Sequence, residues 1–387
     1  MPRFLLVTVF LPACLLQSGS PDTEPSAKAT KVAAGNGQNY ALTTDGAVRV
    51  WGYAGHSGIV QDDRIEAPKT IPGLEHGVVD IASYTDSVCA LMADSTVSCW
   101  GTNPDGQLGT GDTDDVDVPT PIGLSGVKEI GMGGTFACAL VGDGVQCWGA
   151  NDSHQLGIGT GPDESDPPSH SFTPVTVAGL EHGVAHISVG YAHACAVMVA
   201  GPMVCWGSNT SGELGIAEPD DTTIFEQPGA AGDPLAPTEG IATPRSIGLG
   251  YHWSIVADAS GQVKVFGNDY DEQTLGLGPD AFGDYRSPTN ILKVPATVTY
   301  VSDLCAIASG DVWCWSTPRT AASGDPATPA IVDGVSNIVQ VEGDATTCAV
   351  DTNGAVFCWG EGPNFELGDG IERAGSVTEP VPVLSFP

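Results

Sequence analysis

Short apolar runs alternate with polar turns along nearly the whole chain, at the two-residue period of half-buried strands. In Ser87–Gly111, SVCALMADSTVSCWGTNPDGQLGTG, the runs Cys89-Ala-Leu and Val97-Ser-Cys99-Trp100 flank the turn pair Asp94-Ser95. A Trp-Gly then leads into a polar, glycine-rich exit. The unit recurs, with its landmark at Trp51, Trp100, Trp148, Trp206, Phe266 (Phe-Gly), Trp315 (Trp-Ser) and Trp359. The gaps are 49, 48, 58, 60, 49 and 44 residues, which makes seven copies. A period near 50 with several strands per copy predicts a propeller, because one small sheet cannot bury both its faces alone. A helical solenoid is excluded by the Gly, Pro and β-branched content and by the lack of apolar residues at helical spacing.

A second landmark, a proline followed by an alternating apolar strand, lies between copies, as in Ala67-Pro68-Lys-Thr-Ile-Pro-Gly-Leu and Thr173-Pro174-Val-Thr-Val-Ala-Gly-Leu. No such strand precedes the first copy near Lys31, whereas Glu379-Pro380-Val-Pro-Val-Leu384 follows the seventh. The expectation is an all-β, seven-bladed propeller whose C-terminal strand completes the first blade and closes the ring.

The segments CALMADSTVSCWGTNPDGQLGTG, CALVGDGVQCWGANDSHQLGIG and CAVDTNGAVFCWGEGPNFELGDG resemble the repeats of the regulator of chromosome condensation family in its bacterial secreted form. The resemblance covers about residues 31–387. It implies the seven-bladed propeller and says little about activity, since one fold carries many functions.

The N-terminus, MPRFLLVTVFLPAC, has a basic Arg3, an apolar stretch too short to span a bilayer, and Leu11-Pro12-Ala13-Cys14. This reads as a lipoprotein-type signal over residues 1–13, with Cys14 lipidated, Leu15 fitting outer-membrane sorting, and residues 14–30 a polar tether. The alternative is an ordinary signal cut near Gly19. The other ten cysteines fall into pairs nine or ten residues apart: Cys89 with Cys99, Cys138 with Cys147, Cys195 with Cys205, Cys305 with Cys314, and Cys348 with Cys358. Where a copy lacks one cysteine it lacks both, with Tyr40 and Val50 in one copy and Ser254 and Val265 in another. Joint loss predicts a cross-strand disulfide within each copy, and hence an oxidising compartment. Zinc is disfavoured because the CxxC spacing is missing.

Net charge is −34 with only 13 Lys and Arg, and the sequence has no basic patch, so nucleic acid is excluded as a partner. The tryptophans read as blade packing. His193 and His252 are placed in one slot, two residues before the cysteine position. Other copies carry Gln38, Ser87, Phe136, Asp303 and Thr346 there, so the slot reads as structural. Asp112, Asp114, Asp115 and Asp117 form a weak calcium candidate that lacks the glycine and distal glutamate of an EF-hand. No nucleophile, phosphate-loop or zinc-protease motif is present, and no cofactor is expected. Two neighbouring copies carry extra residues after the same Leu-Gly exit, at 160–172 and 216–241, and these contain Phe172, Ile224 and Phe225. Insertions at equivalent points emerge side by side on one face, where apolar residues among polar ones can mark a binding patch. The reading is an exported, surface-associated, monomeric, non-enzymatic protein that binds a protein or carbohydrate partner. A secreted hydrolase or lyase with acids in the channel, and a calcium-dependent adhesin, are the alternatives.

Overall fold

The computed structural model describes residues 27–386, apart from 36, 54, 60–63, 160–167, 217–224, 227–236, 239, 242, 270–274, 292, 303, 316–327 and 344–345. Among the described residues the chain forms seven four-stranded antiparallel sheets. In chain order they are blade 1 (Ala29–Thr70), blade 2 (Val78–Pro121), blade 3 (Val127–Thr176), blade 4 (Val184–Glu226), blade 5 (Pro244–Asn290), blade 6 (Val298–Ile331) and blade 7 (Ile338–Pro382). The first strand of each blade lines a central channel. The seven-bladed propeller read from the repeat is therefore observed. The first strand begins at Ala29, before Lys31, and Ala27 makes an isolated bridge to Phe386.

Ring closure differs from expectation. The C-terminal strand Val377–Pro382 pairs with Val356–Gly360 inside blade 7, and blade 1 draws all four strands from its own copy. The proline-led strand closes the copy it follows, because a short connection makes consecutive strands antiparallel neighbours. Thus Lys69, Thr120, Val175, Thr289 and Val381 face Val50, Cys99, Cys147, Val265 and Cys358. The proline just before each sits at a register shift on an outermost strand, where a missing N–H costs no ladder bond. A backbone bond from Ala29 N to Gly354 O (3.1 Å), side-chain bonds and packing join blade 7 to blade 1. Gln340 accepts from Val32 N (2.7 Å) and donates to Val32 O (2.8 Å), while the Phe386 ring lies 6.3 Å from that of Trp51.

The landmark tryptophans are buried between blades, as read, and several also reach a backbone carbonyl of the blade before. Trp148 Nε1 donates to Gln107 O (2.8 Å), Trp206 to Gln155 O (2.9 Å) and Trp51 to Glu366 O (2.8 Å). The Leu-Gly glycine makes this approach possible: a Cβ on Gly109, at φ 72°, would lie 2.7 Å from Trp148 Nε1.

All five cysteine pairs form disulfides, each joining the second strand of a blade to the third. Cys89 bonds Cys99 in blade 2, Cys138 bonds Cys147 in blade 3, and Cys195 bonds Cys205 in blade 4. Cys305 bonds Cys314 in blade 6, and Cys348 bonds Cys358 in blade 7. The partners are directly opposed, with Cα atoms 4.0–4.2 Å apart. On the outer side of two staples, Thr238 Oγ1 donates to Cys205 Sγ (3.4 Å), and Cys314 pairs with Ala330 of the fourth strand.

Tyr40 opposes Val50, as expected. In blade 5, however, Val265 opposes Ile255, while Ser254 opposes Phe266. The expected pairing was one residue out, and the slot shifts with it. Trp253, not His252, is the counterpart of His193, each opposing the landmark glycine. Antiparallel register is set by the turn, and a one-residue slip exchanges the two faces.

The two insertions are not equivalent either. In blade 3 the insertion runs only into the start of the outermost strand His170–Thr176. In blade 4, Phe225 already pairs with Ser208, and Pro237 pairs with Val204. The second insertion therefore falls partly within the outermost strand.

Candidate functional site

Strand direction alternates within a blade, so first-to-second turns and third-to-fourth connections share one face of the ring. On that face the channel opens into a cavity of about 560 Å³. Near the axis the blades converge and leave little room. At the level of the disulfides the innermost strands carry Ala33, Ala82, Gly131, Ser188 and Gly248, whereas blade 7 carries Glu342. A Cβ on Gly248 would lie 2.2 Å from Ser302 O of the next blade. Glu342 Oε1 accepts a hydrogen bond from the Tyr300 hydroxyl, whose proton is held firmly by burial and by that carboxylate. Among the described residues lining the cavity, Lys31 is the other charged side chain, and it is paired with Asp80 at 2.5 Å.

The rim is aromatic. Tyr84 ends the innermost strand of blade 2, Tyr191 and Tyr251 occupy the turns of blades 4 and 5, and Trp253 begins the second strand of blade 5. All four line the cavity. The rings run as an arc, with Tyr84–Tyr191 centroids 6.2 Å apart, Tyr191–Tyr251 4.1 Å and Tyr251–His252 4.2 Å. Tyr191 reaches blade 2 because blade 3 has glycine at the equivalent turn. A Cβ on Gly134 would lie 2.2 Å from Tyr191 Cδ2, so the ring lies across it. Gly134 N donates to Tyr191 O (3.0 Å) and Tyr191 N to Gly250 O (3.1 Å), which ties the three turns together. Partial burial, followed by the Tyr251 ring, raises the Tyr191 hydroxyl above its ordinary value. Tyr251 remains 45% exposed.

Behind the arc, blades 4 and 5 share a buried polar chain. Ser254 Oγ donates to Glu213 O (2.7 Å), so it accepts from His193 Nε2 (2.9 Å). His193 is then the neutral tautomer with Nδ1 unprotonated, and burial pushes it down to about 4. His252 Nδ1 donates to Glu213 Oε1 (3.2 Å). Burial alone would raise Glu213. The His252 bond, His193 and the Ser211 N–H outweigh burial and hold the carboxyl at about 2. The slot read as structural is thus structural at His193.

The other sequence candidates lie elsewhere. Phe172, 39% exposed, rests its ring on Gly106 of blade 2, where a Cβ would be 2.3 Å away, and its carbonyl accepts from Gly111 N (3.0 Å). Ile224 and Cys14 lie outside the described residues, and Phe225 is placed by its backbone pairing alone. Asp112 accepts from Thr110 (2.9 Å) and from Asp114 N, Asp115 accepts from Asn103 N (2.8 Å), and Asp117 pairs with His56 (2.8 Å). These carboxylates brace the exit loop. Among the described residues no three His, Cys, Asp or Glu side chains are grouped to hold a metal ion. The aromatic arc was missed because its rings come from three separate copies. One signal was available: Tyr191 and Tyr251 both stand four residues before the true cysteine position, where blade 3 has Gly134.

Residues 94–140 and 144–197 match the regulator of chromosome condensation (RCC1) repeat, and residues 184–213 match a second model of that repeat. The ultraviolet-B receptor UVR8 of Arabidopsis thaliana is 26% identical over 371 residues, covering 90% of this chain and 80% of the receptor. The E3 ubiquitin-protein ligase HERC2 of Homo sapiens is 35% identical over 206 residues, covering 51% of this chain but only 4% of the ligase. Among solved structures, human WBSCR16 superimposes with a TM-score of 0.69 at 18% identity, covering 87% of this chain and 94% of its own. Prp20p of Saccharomyces cerevisiae, a protein studied for binding to Gsp1p and histones, gives 0.55 at 21% identity, over 92% of this chain and 76% of its own. The chain is a seven-bladed β-propeller, and its second to fourth blades contain segments that match the RCC1 repeat.

Proposed function

We propose that this protein is an exported, non-enzymatic binding protein that engages a protein partner through the face bearing the aromatic arc. The contiguous, half-buried rings of Tyr84, Tyr191 and Tyr251 at the channel mouth carry this reading. Rigid aromatics in a ring-shaped frame bury large area at small entropic cost, which is why Tyr and Trp dominate binding hot spots. The small-residue channel wall supports binding over chemistry, because chemistry would need converging acids, bases or nucleophiles. Receptor and binding roles borne by UVR8 and Prp20p point the same way. Five disulfides support an oxidising compartment, and Leu11-Pro12-Ala13-Cys14 supports attachment to the cell surface through a lipid on Cys14.

Affinity capture from cell-envelope extracts of the source organism, comparing wild type with Tyr251→Ala and Cys14→Ser, tests both parts. One saturable protein should be retained by wild type and weakened at least about tenfold by Tyr251→Ala, as for a central hot-spot residue. The Cys14→Ser protein should keep its partner but leave the membrane fraction. Unchanged capture by a folded Tyr251→Ala variant would remove the arc from the interface.

A further inference from the structure

We infer that the channel mouth receives a neutral sugar at the end of a glycan carried by the partner, laid against the Tyr191 and Tyr251 rings along the seam of blades 4 and 5. This rests on the binding-face reading above and names the chemistry that the site selects. The rings and the wall beneath them form one surface. Tyr191 N donates to Gly250 O (3.1 Å) and the two rings lie 4.1 Å apart, with Tyr251 45% exposed. Deeper on the same seam Ser188 Oγ donates to Ile247 O (3.4 Å), and both residues line the cavity together with the rings. Tyr191 follows Ser188 by three positions, a chain distance of at most about 11 Å, which two linked sugar rings span.

The wall is polar without offering a charge. Each innermost strand pairs on one side only, so its other edge turns peptide N–H and C=O groups toward the channel. Ser83 Oγ, like Ser188, spends its proton on a carbonyl of the neighbouring blade (Ala34 O, 2.7 Å), and a hydroxyl so used can still accept from a ligand. Lys31 is held by Asp80 (2.5 Å), and Glu342 accepts from Tyr300, so both charges at the cavity are engaged within the ring. A charged ligand would be dehydrated here against groups already in use, and an anion would also meet the field of a chain carrying −34. A purely apolar side chain would cover the hydroxyls and peptide edges without bonding them. A pyranose meets both demands. Its C–H face packs on an aromatic ring, while the hydroxyls around its edge donate and accept. The cavity, about 560 Å³, is of the size that holds small ligands.

The test is isothermal titration calorimetry with matched sugars: lactose beside sialyllactose, and N,N′-diacetylchitobiose beside its deacetylated, protonated form. A neutral member should bind saturably at one site, and its charged counterpart about fivefold or more weakly. Raising NaCl from about 0.05 to about 0.5 M should change the neutral affinity less than about twofold. Tyr251→Ala should weaken binding about fivefold or more and Ser188→Ala about threefold, while Tyr251→Phe retains it. Glu379→Gln, which removes an exposed charge on the outermost strand of blade 7, should change it less than about twofold. Thermal melts confirm that each variant is folded. No saturable binding of either neutral sugar, tighter binding of a charged counterpart, or full affinity in folded Tyr251→Ala would each overturn the inference. Mild periodate oxidation of the envelope extract, which cleaves sugar rings, should abolish capture of the partner. If capture survives periodate and still depends on Tyr251 while neither sugar binds, the face stands and the sugar is wrong. If neither capture nor sugar binding depends on Tyr251, both readings fall.

Discussion

In blade 3 the second and third strands are joined by Cys138–Cys147, Trp148 reaches back to the blade before through its indole N–H, and Asn151 organises the exit loop. In blade 5 the same positions hold Ile255 opposite Val265, Phe266, and Asp269. Each substitution is met differently. Ile255 and Val265 are fully buried and replace a covalent link by packing. The Phe266 ring has no N–H donor, and the Ser254 hydroxyl instead reaches the carbonyl of the preceding blade, at Glu213. Asp269 is only half a replacement. Like Asn151, it accepts from the backbone of the exit-loop leucine, Leu275 N at 2.8 Å against Leu156 N at 3.0 Å. Asn151 also donates through Nδ2 to Pro168 O (2.9 Å), whereas Asp269 Oδ2 has no partner among the described residues. Between these two blades the interblade bond and the loop bond are both kept, made by different atoms.

The largest effect that would break the comparison is removal of the staple. Cys138→Ala with Cys147→Ala should lower unfolding free energy by about 2.5 kcal/mol on the chain-entropy model, read by urea unfolding. A loss below about 0.5 kcal/mol would mean that a stapled blade depends on packing as much as blade 5 does.

Ser254→Ala tests the substituted interblade bond. It strands both Glu213 O and His193 Nε2 in a buried site and should cost about 1–3 kcal/mol. His193 also gives this region a pH signature. The unfolded chain takes up a proton near the ordinary histidine value of 6.5, but the native site only near 4. Between those values the unfolded state binds the extra proton, so stability falls as pH drops from about 6.5 toward 4. His193→Gln should flatten that slope in melts recorded across the window, and an unchanged slope would show that another group carries it.

The smallest effect is a gain. Burial pushes Asp269 up to about 6 against the Leu275 N–H that lowers it. Its raised value means that native protein loses stability as pH rises from about 3.8 through 6, while the carboxyl is made to ionise. Asp269→Asn restores the amide of the other blades and should stabilise by about 1 kcal/mol at pH 8. The gain should shrink as pH falls below 6. Destabilisation at pH 8 would mean that the charge serves some contact of its own.

Some of this was local, and so readable from the chain. Strand pairing within a blade joins neighbours in sequence through short turns, so the seven copies, the alternating faces and the five Cys pairs followed from spacing alone. Two features depended on register or phase and were misjudged. The single-residue slip at Ser254 and Ile255 is invisible without a cysteine to mark it. The proline-led strand fits the pattern whether it opens a copy or closes one, and only its pairing with the strand before it decides. The candidate site was hardly legible at all. Tyr84, Tyr191 and Tyr251 lie in different copies and meet because the ring brings blades 2, 4 and 5 around one axis, with Gly134 leaving the space between them. Sequence determines which strands pair because pairing is short-range. The tertiary structure alone decides which turns face one another across the channel, because that depends on how seven separate sheets pack into a ring.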